Sequence, residues 1–262
     1  MKIFTIVQKV LNYGNRVAFR RKLYRQSQSI APSQKPTVVF APHQDDETLG
    51  CGGVIALKRK QGVPVKVVFL TDGRECYVGA PAPLPISIEE CIQIRQQEAL
   101  SALQALGVAA SDVIFLKHHD STLGSFEGEQ RQAIVEELRA LLIDLRPQEV
   151  YVPYFNDMHS DHIETHRLVK AAVQSLDHSI EVWQYLVWSL WEYSHLSDIV
   201  ESKFANLYSV AIESVREQKN EALRAYRSQY VPIVENFTVL PKTLFRFFDT
   251  PYELFVKIPL DA

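Results

Sequence analysis

Strand-like and helix-like segments alternate along the chain, and this alternation constrains the fold more than any other feature of the sequence. Short runs rich in β-branched and aromatic residues predict buried strands at residues 37–41, 65–70, 112–116 and 149–153. Apolar residues recur at helical spacing in residues 53–61, 88–106, 127–145 and 160–176. Strands that alternate with helices are typical of βαβ units. We therefore expect an α/β fold with a Rossmann-like, mostly parallel sheet and helices on both faces, in three α/β/α layers.

The remaining third of the chain is expected to extend the same domain. Residues 181–189 and 207–212 predict later strands, and Ser214-x-x-Glu217 is typical of a capping box that opens a helix toward Arg227. The chain has 262 residues, of which 47% are hydrophobic and 23% charged, and such a chain can bury a substantial core. We expect a single domain over residues 36–262, preceded by a basic amphipathic extension over residues 1–35 that ends in a Ser/Gln/Pro linker.

An imidazole and three carboxylates, His43, Asp45, Asp46 and Glu47, follow the first predicted strand directly. Such a cluster is costly to bury without a cation. In open α/β sheets, ligands bind beyond the carboxyl ends of the strands. His43 and Asp46 are three residues apart in a turn, so that they can converge on a metal ion and leave Asp45 free for proton transfer.

A second polar cluster, His159-Ser160-Asp161-His162, follows the strand predicted at residues 149–153. Catalytic zinc usually takes three protein ligands and keeps one position for water, so the first cluster alone is incomplete. His166 lies one helical turn beyond His162 and is a further candidate ligand. The residues alone leave the choice among these histidines open.

These motifs resemble those of the PIG-L or LmbE-like N-acetylglucosaminyl deacetylases, a family of zinc-dependent amidohydrolases. The first motif stands here as Pro42-His43-Gln44-Asp45-Asp46-Glu47, with Gln44 in place of the usual proline, and the second as His159-Ser160-Asp161-His162. Proline would stiffen the turn, so its replacement is expected to loosen the backbone without removing a ligand. Weaker matches, which extend the resemblance over residues 36 to 230, are Leu70-Thr71-Asp72-Gly73, Arg95-x-x-Glu98-Ala99, Leu106-Gly107-Val108, Asp120, and Lys219 to Gln229.

The resemblance implies that His43, Asp46 and His162 hold zinc and that Asp45 is the general base. It assigns His159 as the second catalytic group, which stabilises the oxyanion or protonates the leaving amine. Iron or cobalt would also accept these ligands.

Three further residues receive supporting roles from the resemblance. Asp161 would orient His159 or a metal ligand. Arg95 and Asp120 match positions that contact the substrate sugar. A helix-face ion pair between Arg95 and Glu98 is the alternative interpretation of Arg95.

We therefore expect a metal-dependent N-deacetylase that removes acetyl from an N-acetylglucosamine-type sugar conjugate by water activation, with Asp45 as base. The alternatives are a non-catalytic carbohydrate-binding protein on the same fold and another metal-dependent amide or phosphoester hydrolase; a phosphoesterase would want a second metal. No Gly-x-Ser-x-Gly or phosphate-loop pattern occurs. The glycines of Gly50-Cys51-Gly52-Gly53 are expected to let a helix approach the metal loop closely, and the loop over residues 72–87 to border the site.

The two ends of the chain differ from its middle. No acidic residue precedes Asp45, and eight basic ones do, namely Lys2, Lys9, Arg16, Arg20, Arg21, Lys22, Arg25 and Lys35. Residues 2–25 are expected to form a helix that either contacts an anionic membrane surface or packs on the domain with solvated charges. An odd number of cysteines without a disulfide framework indicates a reducing compartment, so we expect a cytoplasmic protein, with peripheral attachment to the inner membrane surface as an alternative. No nucleic-acid motif accompanies the basic arm. The aromatic residues after 236 are expected to pack in the core or at a dimer contact; the sequence does not indicate the oligomeric state.

Overall fold

The computed structural model of the protein describes residues 2–81, 85–232, 234–235 and 237–257. Over this part of the chain eight strands form one sheet in the order β1-β7-β8-β6-β5-β2-β3-β4. All neighbouring strands are parallel except for β8, which runs antiparallel between β6 and β7. The strands are β1 Gln28–Ile30, β2 Thr37–Ala41, β3 Val65–Thr71, β4 Val113–His118, β5 Glu149–Pro153, β6 Glu181–Tyr185, β7 Leu207–Ala211 and β8 Tyr252–Val256.

Helices cover both faces of this sheet. They are α1 Lys2–Gln26, α2 Asp46–Lys60, α3 Ile88–Ala105, α4 Gly128–Leu145, α5 Ser160–Gln174, α6 Trp188–Glu192, α7 Ser197–Glu201, α8 Arg216–Ala225, α9 Arg227–Tyr230 and α10 Lys242–Phe248. Side chains of β2 alternate between two apolar cores, because successive strand residues point to opposite faces. Val39 and Ala41 pack with α2, α3 and α8, whereas Val38 and Phe40 pack with α4 and α5. The predicted three-layer α/β/α fold is confirmed.

The order of the strands places a topological switch point at β2. The chain passes outward from β2 through β3 to β4, then returns to the other side of β2 to form β5 and β6. The loops that leave β2 and β5 therefore diverge from adjacent strand ends, and ligands of open α/β sheets bind in such a crevice. Both polar clusters of the sequence lie on these two loops and on the first turns of the helices that follow, α2 and α5.

The structure corrects several boundaries that were predicted from the sequence. Helix α2 begins at Asp46, seven residues earlier than expected, and the segment 181–189 is a strand only as far as Tyr185 before α6 starts. Ser214 lies inside a 3-10 turn, and α8 begins after Val215 without a side-chain cap. A capping box does exist at Ser87, where α3 starts.

The glycines of α2 serve a different contact from the predicted one. A Cβ atom on Gly50 would lie 2.3 Å from the ring of Tyr185, and one on Gly53 would lie 2.6 Å from Ile212. Because glycine has no Cβ atom, helix α2 can approach strand β6 and the residue that follows β7 closely. The predicted neighbour of these glycines was the metal loop.

The segment before residue 36 packs closely on the rest of the molecule. Strand β1, which falls inside the expected linker, pairs with β7. The helix predicted over residues 2–25 is present as α1; the side chains of its first residues, up to residue 10, lie outside the described part. Leu23 of α1 is buried in the core and Arg16 forms an ion pair with Glu192 at 2.8 Å, whereas Arg21 and Lys22 are exposed.

Membrane contact by this helix stays a prediction. Among the described residues, no helix is long and apolar enough to cross a membrane.

A candidate metal and catalytic site

The loops after β2 and β5 bring the two polar clusters together at the carboxyl edge of the sheet. The ring of His43 lies 4.7 Å from that of His159 and 5.6 Å from that of His162, measured between centroids. One nitrogen from each of these three imidazoles falls within 4.8 Å of the others, close enough for all three to reach one metal ion. Clusters separated by more than a hundred residues in sequence thus form one site.

One carboxylate oxygen of Asp46 links two of these imidazoles. Its Oδ2 lies 3.2 Å from Nδ1 of His43 and 3.1 Å from Nε2 of His162. The backbone N–H of His43 donates to the same oxygen. The three residues predicted to bind the metal therefore converge on one point.

Asp157 contacts the ring of His162 on the side away from Asp46 and was not among the predicted site residues. Its Oδ2 lies 2.8 Å from Nδ1 of His162, while Oδ1 accepts the backbone N–H of Ser189. Carboxylates that orient metal-binding histidines in this way are common in metal sites. The available sequence signal was its place two residues before His159, in the same polar stretch after β5.

This arrangement fits a divalent metal. His162 is fully buried, and its Nε2 makes no hydrogen bond in the described structure, even though Oδ2 of Asp46 lies 3.1 Å away. Because Asp157 accepts the proton of Nδ1, a cation that displaces the proton of Nε2 would be bound by the lone pair of that nitrogen. A buried ring nitrogen without a hydrogen bond is otherwise rare in proteins.

The pKa values describe a site with excess negative charge. Burial opposes charge on His162, yet Asp46 and Asp157 raise its pKa to about 9. Burial opposes charge on His43 as well, but its contacts with Asp120, Asp161 and Asp46 raise its pKa. Burial acts to raise the pKa of Asp46, but His162 and His43 hold it well below its usual range. A divalent cation would balance this surplus of carboxylates.

Asp45 occupies a strained turn beside the metal-binding residues. Its φ angle is 143°, a region that residues with a Cβ rarely adopt. Burial and the carboxylate of Asp46 raise the pKa of Asp45 to about 8, while Arg95, whose Nη2 lies 3.7 Å away, acts against this. The carboxylate of Glu47 accepts the backbone N–H of Asp45 at 3.1 Å and so holds the turn.

His159 is a neutral imidazole at neutral pH. Burial, followed by the charges of His43 and His162, lowers its pKa to about 4. Its Nδ1 accepts the backbone N–H of Asp161, so the proton of the neutral ring resides on Nε2. The carboxylate of Asp161 does not hold this ring; it accepts the backbone N–H groups of Ser121 and Leu123 and lies 3.4 Å from Nε2 of His43.

Asp120 and Arg95, the two predicted sugar contacts, border the same cavity. Oδ1 of Asp120 lies 3.1 Å from Nε2 of His43, which makes Asp120, with Asp161, a second set of candidate metal ligands around that ring. The buried guanidinium of Arg95 donates to the backbone carbonyls of Gln44 and Gly73. Arg95 thus supports the loop that carries the metal-binding residues.

Two of the remaining sequence expectations are settled by position. His166 points away from the cluster, where its Nδ1 donates to the carbonyl of Pro153 at 3.2 Å. Gln44 does not loosen the turn, because its side-chain amide donates to the carbonyl of Thr71 at 2.9 Å and ties the loop to the end of β3. A side-chain hydrogen bond replaces the stiffness that a proline would provide.

A cavity of about 270 Å³ opens over the cluster. Asp45, Asp46, His43, His159 and Asp120 line its floor. Glu75 and Val78 lie on the loop that was expected to border the site, whose residues 82–84 are outside the described part. A ligand in this cavity would contact the candidate base and the metal-binding residues together.

Fold and site define this chain as a Rossmann-like α/β protein with a candidate metal centre at its switch point. The family model described as PIG-L, GlcNAc-PI de-N-acetylase, matches residues 38–173, which is more than half of the chain. The chain belongs to this family, as its motifs predicted.

Individual relatives carry related names. The chain is 32% identical over 170 residues to a 1D-myo-inositol 2-acetamido-2-deoxy-alpha-D-glucopyranoside deacetylase of Mycobacterium sp. (strain KMS), an alignment that covers 59% of this chain and 55% of that protein. It is 27% identical over 213 residues to a probable N-acetyl-alpha-D-glucosaminyl L-malate deacetylase 2 of Bacillus cereus (strain ATCC 14579), with 78% and 87% covered.

A solved structure shares the fold. The conserved protein TT1542 from Thermus thermophilus superimposes with a TM-score of 0.55 and 28% identity over 75% of this chain and 80% of that one. The chain spans about half the length of the mycobacterial relatives that it matches.

Proposed function

We propose that the protein is a metal-dependent N-deacetylase that hydrolyses the acetamido group of an N-acetylglucosamine-type sugar conjugate. The observation that carries this proposal is the convergence of His43, Asp46 and His162 on one point, with the carboxylate of Asp45 beside them in a cavity. Two relatives named as deacetylases of N-acetylglucosaminyl conjugates support it.

The proposed reaction has three requirements: an activated water, a stabilised oxyanion and a proton for the departing nitrogen. A divalent metal held by His43, Asp46 and His162 would supply Lewis acidity toward the water and the acetyl oxygen. We assign zinc, the usual choice for such a ligand set, with iron or cobalt as alternatives.

Asp45 serves as the proton carrier in this proposal. Its raised pKa suits a carboxylate that takes a proton from water and later delivers it to the amine, since proton transfer is most effective when the pKa lies near the working pH. The products are acetate and the free amino sugar, so the proton from water ends on the nitrogen. Without the turn that Glu47 holds, the Asp45 carboxylate would lose its fixed position.

His159 stabilises the oxyanion through Nε2–H. Because its ring is neutral at neutral pH and Nδ1 is occupied by the N–H of Asp161, Nε2 is a hydrogen-bond donor. A positioned donor of this kind is worth about a hundredfold or more in kcat. Its lowered pKa makes it a poor source of the amine proton, which favours Asp45 for that step.

Acetate release tests the proposal directly. Metal-loaded protein is incubated with N-acetylglucosamine conjugates, and acetate is compared with that from Asp45→Asn. We expect Asp45→Asn to retain the metal, measured by elemental analysis, and to lose at least about a hundredfold in kcat. Metal binding without acetate release from any amino-sugar conjugate would overturn the deacetylase proposal and favour the carbohydrate-binding alternative.

The phosphoesterase alternative has one supporting observation. Asp120 and Asp161 flank His43 and could extend the donor set. Phosphoesterases of the two-metal type hold ions about 3.5–4 Å apart. A metal content of two ions per chain together with hydrolysis of a phosphate ester would favour this function over deacetylation.

A further inference from the structure

The cavity over the candidate metal site is lined by two chemically different sets of residues. One set consists of carboxylates and imidazoles, and the other, the apolar wall, consists of Trp188, Phe237, Val239 and Leu240. Val78 also lines the cavity and is 69% exposed. An apolar wall of this extent beside a polar centre indicates that part of the ligand is apolar.

Backbone hydrogen bonds and side-chain packing connect the residues of the apolar wall to their neighbours. The backbone N–H of Trp188 approaches Oδ2 of Asp157, the same carboxylate that orients His162. Leu240 donates its backbone N–H to the carbonyl of Gln229 at 2.7 Å. Phe237 and Val239 pack on the buried pair Tyr77 and Cys91. One of these contacts, that of Trp188 with Asp157, ties the apolar wall to a residue that touches the candidate metal ligand His162.

Away from the proposed metal position, the charge of the cavity disfavours an anionic ligand group. Glu75 and Asp120 line it together with the metal-site carboxylates. Of the described residues that line it, only Arg95 carries a permanent positive charge, and that side chain is 4% exposed with its guanidinium on the carbonyls of Gln44 and Gly73. A carboxylate or phosphate on the substrate aglycone would therefore meet like charges.

We propose that the group linked to the amino sugar is uncharged and apolar, an alkyl or aryl aglycone that packs on Trp188, Phe237 and Val239. This inference rests on the proposed deacetylase function and adds the class of substrate. It separates the protein from its Bacillus cereus relative, whose name specifies an L-malate conjugate.

A matched series of glycosides tests the aglycone directly. The metal-loaded full-length protein is assayed for acetate release from the methyl, octyl and phenyl α-glycosides of N-acetylglucosamine and from its L-malate and inositol conjugates. We expect kcat/KM for the octyl or phenyl glycoside to exceed that for the methyl glycoside by about tenfold or more, as contacts in an apolar pocket allow. The L-malate and inositol conjugates should fall below the octyl glycoside by a similar factor.

Variants of the wall locate the preference. In Phe237→Ala and Trp188→Ala the ratio of kcat/KM between octyl and methyl glycosides is expected to fall toward one. Phe245→Ala is the matched control, because Phe245 is also a partly buried aromatic residue but lines a different cavity. This control should keep the ratio of the unmodified protein.

Binding gives a second measurement that does not depend on turnover. Isothermal titration calorimetry measures the dissociation constants of the octyl and methyl glycosides for Asp45→Asn, with and without Trp188→Ala. Tighter binding of the octyl than of the methyl glycoside, lost with Trp188→Ala, supports the proposal, and equal binding of the two glycosides by Asp45→Asn would overturn it.

The failure of this inference differs from failure of the deacetylase function. Acetate released fastest from the L-malate or inositol conjugate would overturn the apolar aglycone and leave the deacetylase intact. An unchanged octyl-to-methyl ratio in both wall variants would likewise overturn it. Absence of acetate from every conjugate, by contrast, would overturn the function on which it rests.

Discussion

At the scale of single residues, the candidate base Asp45 depends, through Glu47, on a partner that is distant in sequence. Glu47, which holds the Asp45 turn, is fully buried and accepts hydrogen bonds from Thr48 and from the hydroxyl of Tyr226. Burial raises the pKa of Glu47 to about 7, with these hydrogen bonds acting against it. The chain Tyr226–Glu47–Asp45 therefore links the end of α8 to the candidate base.

Removing the Tyr226 hydroxyl should weaken catalysis more than binding. In Tyr226→Phe we expect kcat to fall about tenfold with little change in KM, because the buried carboxylate of Glu47 loses one of its three donors and holds the strained turn less firmly. Steady-state kinetics with an amino-sugar conjugate measure both constants. Tyr185→Phe is the control, since it removes an equally buried hydroxyl that donates to the carbonyl of Phe40. Equal losses in the two variants would contradict the positioning role.

Asp157 should control metal affinity without being a ligand. In Asp157→Asn we expect the affinity for zinc to fall about 10- to 100-fold, because the His162 ring loses its charged acceptor and fixed tautomer. Competition with a chromophoric chelator measures the dissociation constant. Asp198→Asn serves as control, because Asp198 also accepts a hydrogen bond from a buried residue, the Tyr154 hydroxyl, away from the cluster. Unchanged zinc affinity in Asp157→Asn would count against the proposed metal set.

The buried side chain of His166 is expected to make the free energy of unfolding depend on pH. Burial lowers its folded pKa from 6.5 to about 4, so the unfolded chain binds more protons between these values and stability is lost as pH falls from 6.5 toward 4. At pH 5 this loss is about 2 kcal/mol relative to pH 7. Urea unfolding at both pH values should show a smaller loss for His166→Gln and an unchanged one for the exposed control His178→Gln. A loss as large in His166→Gln as in the unmodified protein would exclude this origin.

At the scale of elements, a buried ion pair packs against the middle of helix α2. The carboxylate of Glu253 on β8 accepts the backbone N–H groups of Gly53 and Val54, while Lys219 of α8 donates to the carbonyl of Leu49 and to Glu253 at 2.6 Å. Both charged side chains thus bond to backbone groups in the interior of the helix. The glycines provide the space, since a Cβ on Gly52 would lie 3.2 Å from the side chain of Lys219.

Breaking this pair on one side should destabilise the fold strongly. Lys219→Met leaves a buried carboxylate without its cation, and we expect a loss of about 3–5 kcal/mol in the free energy of unfolding. The double variant Lys219→Met/Glu253→Gln should lose less than Lys219→Met alone, because no charge remains unpaired. Arg224→Met is the control, because it breaks an ion pair with Glu217 that is exposed to solvent. In urea denaturation, its free energy of unfolding should change by less than about 1 kcal/mol. A double variant less stable than Lys219→Met would contradict this account.

At the scale of the whole molecule, residues 11–30 pack against the sheet and its core. Strand β1 covers the edge of β7, and the ring of Tyr24 stacks on that of Tyr252 at 3.7 Å. Removal of residues 1–35 would expose the edge of β7 and the core residues that Leu23 covers. An uncovered strand edge favours association with other chains.

Deleting residues 1–35 is therefore expected to lower the melting temperature and promote aggregation. Thermal unfolding and light scattering measure both effects, and a deletion of residues 1–10 alone is the control. A melting temperature that is unchanged by the longer deletion would support the independent extension that the sequence suggested.

Much of the fold could be predicted from the sequence, because the signals for it lie within short segments. The bounds of strands β2 to β5 were predicted within two residues, because the β-branched and aromatic composition that identifies a strand lies in the strand itself. The aromatic tail was expected in the core or at a dimer contact, and Phe247, Phe248 and Phe255 are indeed buried in the core, whereas Phe237 lines the cavity. Strand β8 was missed, because its antiparallel partners β6 and β7 lie far away along the chain.

Residue types and their spacing within single segments were enough to predict the α/β alternation and the chemical identity of the two polar clusters. Which histidine faces the cluster became clear only from the folded chain, which also brings in Asp157, Tyr226 and Glu253 as partners. It also set the pKa values of Asp45 and His159. These outcomes depend on burial and on contacts between residues far apart in the chain, and neither property has a local pattern in the sequence.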